Sequence, residues 1–182
     1  MIPRPARAAA FAAVLGAVGA AHAQLGALPP FDQWKEHVAT EDGFAVRVPN
    51  VVKGRDWKDG GLPARHYVTG NPEETYSVTA VRIPASTRTG IAAEEILGLS
   101  VKRMLEAAKP EKVERDEAQG CPQEAIGKSI QARLADEMVY AARVCVTADN
   151  VYKVEAFITS ARWAEAEPSV KGFLDSFRPL RK

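Results

Sequence analysis

His37 and His66, Cys121 and Cys145, and the acids of Asp56-Trp57-Lys58-Asp59-Gly60-Gly61 are the side chains whose types could carry chemistry. A histidine beside a positioned carboxylate would supply a general base for hydrolysis. Their surroundings argue against it. No GxSxG nucleophile motif occurs, His66 stands beside Tyr67 in a strand-like run, and His37 lies in a short polar segment. Zinc held by two histidines and a carboxylate would call for HExxH-type spacing, which is absent. The acids at 56 and 59 stand near a glycine turn, as calcium ligands do, but without EF-hand spacing, and the stretch reads as a turn. Neither phosphate-cradling glycine pattern, GxGxxG or GxxxxGKS/T, is present. The sequence therefore assigns no catalytic residue, no metal and no cofactor. A hydrolase using His66 or His37 is the least favoured of the readings it allows.

The cysteines gain meaning from the N-terminus. Arg4 and Arg7 precede an apolar run from Ala8 to Ala21, and Ala21-His22-Ala23 supplies a small-x-small cleavage pattern. This is the grammar of a cleaved secretory signal peptide over residues 1–23, with cleavage after Ala23. The run of 14 residues is short of the ~20 that span a bilayer as a helix, so a membrane-spanning protein is not expected. The alanine-rich core points to a bacterial periplasm. In that oxidising compartment an exported chain with two cysteines is a disulfide candidate, and Cys121–Cys145 is the pairing available. Two unpaired buried thiols or a catalytic thiol are the alternatives, although no CxxC spacing supports a redox motif.

The 182-residue chain has 46% apolar and 26% charged residues, an ordinary globular balance for one domain. Its net charge of +1 comes from 24 basic and 23 acidic residues. Removing residues 1–23 takes away Arg4 and Arg7, leaving 22 basic residues and a net −1 over 159 residues. Such a chain lacks the positive field that nucleic-acid binding requires. Basic residues at Lys102-Arg103, Arg178 and Arg181-Lys182 read as solvated.

The mature part, 24–182, reads as a single α+β domain. Phe44 to Val48 is a half-buried strand, and residues 50–63 are a loop broken by glycines and Pro63. Arg65 to Thr69 and Thr75 to Ile83 form a hairpin around Gly70-Asn71-Pro72-Glu73. Residues 91–108 place Leu97, Val101, Met104 and Ala108 on one helical face, with Thr89 as cap. Glu111 to Glu117 is a polar edge strand. Runs at 126–134, 138–147 and 151–159 form a meander, separated by turns at Ala135-Asp136 and Ala148-Asp149-Asn150. Ser160 to Glu167 starts a turn or two, and a helix beginning near Pro168 carries Val170, Phe173, Leu174 and Phe177 and stops before Pro179.

Gly43-Phe44-Ala45-Val46-Arg47-Val48-Pro49 near the start and Phe173-Leu174-Asp175-Ser176-Phe177 near the end, with the hairpin, helix and meander between them, resemble the PsbP-like fold group. That group contains the extrinsic PsbP subunit of photosystem II and small exported bacterial proteins. The resemblance implies a central antiparallel sheet of six to seven strands packed between helical layers in an α/β/α arrangement. It implies core positions for Phe44, Val46 and Phe177, with Gly43 in the turn. It also implies docking or adaptor roles rather than catalysis, and it transfers no catalytic residue.

The expected function is that of an exported, periplasmic, non-catalytic binding or accessory protein that engages a protein partner or envelope assembly. The glycine-containing 50–63 loop offers Trp57, Asp56 and Asp59 as binding residues, and Trp34 joins them as a second aromatic expected at the surface. A small-molecule or lipid pocket between the sheet and the 91–108 helix is the alternative.

Overall fold

The computed structural model describes residues 27–88 and 90–180. The segment 1–23 expected to be a signal peptide, the expected cap Thr89, and Arg181-Lys182 lie outside the described residues. A single 3-10 turn at Phe31–Gln33 leads into ten strands and three helices. The strands are β1 (Lys35–Ala39), β2 (Phe44–Val48), β3 (Arg55–Asp59), β4 (Leu62–Gly70), β5 (Glu74–Arg82), β6 (Lys112–Ala118), β7 (Ile126–Leu134), β8 (Met138–Val146), β9 (Asn150–Thr159) and β10 (Arg178–Pro179). The helices are α1 (Ala85–Arg88), α2 (Ala93–Ala108) and α3 (Ser160–Ser176). Among the described residues no helix is long and apolar enough to cross a membrane.

Seven strands form the main antiparallel sheet in the order β3-β4-β5-β9-β8-β7-β6. Helix α2 covers one face through Val101 and Met104, which pack with Ile130, Tyr140, Ala142 and Val144. The opposite face carries α3 and a three-stranded sheet of order β1-β2-β10. The result is the expected α/β/α sandwich, with one correction. The 44–48 strand belongs to the small sheet, because β10 runs beside it with Pro179 opposite Phe44.

Strand β8 explains why the meander is the centre of the fold. Tyr140, Ala142 and Val144 face α2, while Val139, Ala141 and Cys145 face α3, and all are buried. A strand covered on both sides loses the apolar–polar alternation and becomes a continuous apolar run. On the α3 side the core is aromatic. Phe44 meets Tyr67 at 5.1 Å, Tyr152 at 5.9 Å and Phe177 at 5.9 Å between centroids. Trp34 packs edge-on to Tyr76 at 4.8 Å and is 4% exposed, and its indole Nε1 donates to the Pro29 carbonyl at 2.8 Å. The expected surface position of Trp34 is therefore corrected to a core one. Its flanking polar residues hid its role, since it stands between Asp32-Gln33 and the mostly exposed strand β1.

Three further expectations change. Residues 55–59 are a strand, and with β4 they make a hairpin instead of a loop. Gly60 and Gly61 form its turn, at φ +57° and +87°, the left-handed values a two-residue hairpin needs. Helix α3 is continuous from Ser160, with Pro168 in its interior at the cost of the bond its absent N–H would make to the Ala164 carbonyl. Helix α2 begins at Ala93, preceded by Ala92 at the cap position, and closes on Lys109 in the left-handed region.

Cys121 and Cys145 are joined, with Cα atoms 5.9 Å apart. The bridge ties the β6–β7 connection onto the α3 side of β8. A Cβ at Gly127 would overlap the Cys121 sulfur, so the close approach depends on that glycine. Replacing both cysteines with alanine is expected to lower the free energy of unfolding by about 3 kcal/mol, measured by urea titration, as closure of a 24-residue separation in the unfolded chain is lost. Equal stability of the two proteins would show that the cross-link constrains nothing.

Candidate functional site

The β3–β4 hairpin gathers most of the polar residues singled out from sequence. Strand alternation divides them. Trp57 and Asp59 point to the α2 side of the sheet, and Asp56 points to the other side, opposite Arg65. The three acids and aromatics expected to act together from one loop are thus split between two faces. Trp57 remains 49% exposed in the middle of an edge strand whose neighbours are also exposed.

Asp59 reaches well beyond its own hairpin. The Lys153 ammonium donates to Asp59 Oδ1 at 2.7 Å and Oδ2 at 2.8 Å. Lys153 lies on β9, with β4 and β5 between it and β3. Three strand spacings of about 4.8 Å exceed what these two side chains span along a flat sheet. The hairpin therefore arches over the α2 face, following the twist of the sheet. Its tip meets α2, where a Cβ on Gly60 would stand 2.8 Å from Arg103 Nη1.

Beneath the arch lies a polar floor. Lys153 is only 6% exposed, and Ser77 and Thr79 are buried beside it. Tyr140 donates to Glu155 Oε1 at 2.7 Å. Burial pushes the Glu155 carboxyl above its ordinary value, against the opposing effects of the Tyr140 hydrogen bond and the Lys153 charge. Burial raises the Tyr140 phenol well above its ordinary value too. The cluster holds one cation and two carboxylates: Asp59 is clamped to Lys153, and Glu155, whose ionisation burial disfavours, is held by a phenol.

His66 sits at the edge of this floor. Its Nδ1 lies 2.8 Å from Thr79 Oγ1, and its ring is 5.6 Å from that of Trp57. Burial lowers its pKa, and the Arg55 charge lowers it further. An imidazole paired with a hydroxyl has the first half of a nucleophile–base geometry. Its other neighbours are the Trp57 ring and the Arg55 charge, and that charge disfavours the imidazolium that a carboxylate would stabilise. His37 lies on the other side of the sheet, against Phe44 and Tyr67 at 6.3 and 5.5 Å. Burial lowers its pKa, and its Nε2 is buried with no hydrogen-bond partner among the described residues. The two histidines do not share a site. Among the described residues no three of His, Cys, Asp and Glu come together as a metal-holding group.

A void next to His37, lined by Phe44, Val46, Tyr67, Tyr76 and Phe173, has room for about one water molecule. It lies across the sheet from α2, away from the place expected for a ligand pocket, and does not admit a lipid or metabolite.

Lys153, Glu155, Tyr140 and Thr79 were not legible as a cluster. Their one sequence signal is that Lys153 and Glu155 occupy alternate positions between the apolar residues Tyr152, Val154 and Ala156, as an outward face would. The arch of the hairpin turns that face inward.

No family model matches the sequence, and no curated protein matches it. Among solved structures, the chain is similar to the solution structure of cyanobacterial PsbP from Synechocystis sp. PCC 6803, with 17% identity and a TM-score of 0.57 over 88% of this chain and 98% of that one. A Pseudomonas aeruginosa protein of unknown function is similar at 15% identity and a TM-score of 0.47, over 82% of this chain and 99% of that one. The fold is PsbP-like, as the Gly43–Pro49 and Phe173–Phe177 motifs implied.

Two variants test the charge balance under the arch. Asp59→Ala leaves Lys153 buried and unpaired, and is expected to cost about 3–5 kcal/mol in urea unfolding. A change below about 1 kcal/mol would show that the bridge is solvated and the arch open. Glu155 works in the other direction. Its folded pKa is raised, so its contribution to stability falls as pH rises from its ordinary value of 4.5 through the folded value. Glu155→Gln is expected to remove that decline, seen as a flatter profile of stability against pH above 4.5, whereas a profile identical to the parent's would place the decline elsewhere.

Proposed function

We propose that the protein is exported to the periplasm, loses residues 1–23 on the way, and acts there as a non-catalytic accessory protein. It docks to a protein partner or envelope assembly through the β3–β4 hairpin. Trp57 carries this reading. A tryptophan half-exposed on a solvent-facing edge strand is poorly explained by folding alone, and tryptophan is the residue type most enriched where binding energy concentrates. The arm that presents it is held by the Asp59–Lys153 bridge, which lowers the entropy cost of docking. Asp56 offers a charged contact on the other face, whereas Asp59 acts as the anchor of the arm. Trp34, being buried, takes no part.

Export is supported by the Arg4/Arg7, Ala8–Ala21 and Ala21-His22-Ala23 pattern together with the Cys121–Cys145 disulfide, a cross-link that persists in oxidising compartments. Burial and the Arg55 charge disfavour the protonated His66 that a general base must become, which supports binding over hydrolysis.

Mass analysis of the protein from an osmotic-shock fraction is expected to give a chain beginning at Gln24, and a periplasmic product beginning at Met1 refutes the cleavage. For docking, tagged protein is captured from native cell envelopes. Trp57→Ala is expected to reduce recovery of co-purifying protein at least about tenfold while shifting Tm by less than about 2 °C. Undiminished recovery overturns the hairpin as the docking element.

A further inference from the structure

We propose that the β3 edge pairs with the β3 edge of a second copy of this chain, antiparallel, about a two-fold axis through Trp57. This inference goes beyond the docking reading and stands without any heterologous partner.

Strand β3 ends the seven-stranded sheet, and no described strand pairs with its outer side. Its register with β4 runs from Arg55 to Asp59 without a bulge, so its outer backbone groups are laid out for another strand. Its sequence, Arg55-Asp56-Trp57-Lys58-Asp59, is self-complementary in charge about Trp57. Antiparallel pairing centred on Trp57 sets Arg55 opposite Asp59 of the second copy and Asp59 opposite its Arg55. On the same face the two Trp57 rings meet at the axis. On the other face Asp56 and Lys58 form two further opposite-charge pairs. Each directly opposed pair is of a stabilising kind, either opposite charges or two aromatics. The arrangement is isologous, as a two-fold interface requires. Arg55, Asp56 and Lys58 form no ion pair within 4 Å among the described residues, although Asp56 lies opposite Arg65 and feels its charge. Asp59 already holds Lys153 and would share its carboxylate.

The opposite edge of the sheet is less suited to pairing about its central residue. Strand β6 is interrupted by an irregularity between Val113 and Arg115. Pairing it antiparallel about Arg115 would oppose Arg115 to itself and Glu114 to Asp116, both repulsive. Its acids are engaged internally, Glu114 with Arg133 and Asp116 with Lys128. The two edges carry the same kinds of residue, but β3 is regular and pairs favourably about its central residue, whereas β6 is irregular and has acids already engaged within the chain.

Five residues make a contact about 17 Å long. That is small beside the roughly 1,200–2,000 Å² of a stable interface, so the dimer is a weak one that forms at high concentration. Sedimentation of purified exported protein, disulfide intact, over about 5–500 μM is expected to show a monomer–dimer equilibrium that weakens with salt. Asp56→Lys opposes two like-charge pairs and is expected to raise the dissociation constant about tenfold or more. Lys58→Asp does the same. The double variant Asp56→Lys/Lys58→Asp keeps the charge complementarity with the signs of the 56/58 pairs exchanged and is expected to return the constant to near the parent value. Circular dichroism confirms that each variant is folded. A parent monomeric at the highest concentration, an Asp56→Lys variant that dimerises like the parent, or a folded double variant that stays monomeric each overturns the proposal. Because the purified chain contains no envelope partner, these outcomes are separate from loss or retention of partner capture by Trp57→Ala.

Discussion

A buried arginine organises one half of the molecule. Arg143, 6% exposed on β8, donates to the Leu174 carbonyl and to Asp175 Oδ1, each at 2.8 Å. A guanidinium under a protein layer must be paired, and the end of a helix supplies both unsatisfied carbonyls and the negative end of the dipole. The pairing fixes where α3 ends on the sheet. That end sets Phe177, which packs against Phe44 and Tyr152. It also starts β10, whose pairing with β2 completes the small sheet. The orientation of β1 and β2 over the main sheet thus descends from one charge on a central strand.

The small sheet has a second anchor. Tyr152 donates to the Gly43 carbonyl at 2.9 Å, with the Asp42 carbonyl at 3.0 Å, and accepts from Asn150 Nδ2 at 2.9 Å. Burial pushes its phenol up to about 12, and the Asn150 hydrogen bond opposes that rise. Tyr67 bonds Asp42 directly, and Arg65 joins Glu41 and Asp42 around the same turn. The β1–β2 turn is consequently held by two phenols from different strands, while β3, beyond its pairing with β4, is tied back to the sheet by the Asp59–Lys153 ion pair. The face that carries the aromatic core is rigidly tied. The arch on the opposite face is a lighter attachment and the place where the molecule presents an aromatic to solvent.

Much of the fold was legible because burial is periodic. The helical stripe at Leu97, Val101 and Met104, the alternation in β7 and β9, and the tight turns between them come from spacings of 3.6 and 2 that survive in any context. Residues 55–59 were missed because their strand is short, charged and exposed on both faces, so no apolar period marks it. Trp34 was misplaced because its burial comes from Tyr76 and Phe173, both distant in sequence. Proline 168 reads as a helix start from local chemistry, yet packing of Val170 and Phe173 on one side and Ala166 on the other carries the helix through it.

The sequence by itself determined the α+β class, the antiparallel meander, the PsbP-like resemblance and the availability of Cys121 and Cys145 for one bridge. These depend on neighbours along the chain and on residue counts. Only the tertiary structure decided that Asp56 and Asp59 face opposite ways, that Lys153 and Glu155 lie inside, and that His37 and His66 are separated by the sheet. Those outcomes depend on which strands lie between which, and on a hairpin that curls back over its own sheet. An ion pair across two intervening strands has no signature along the chain, because its geometry exists only once the sheet has twisted.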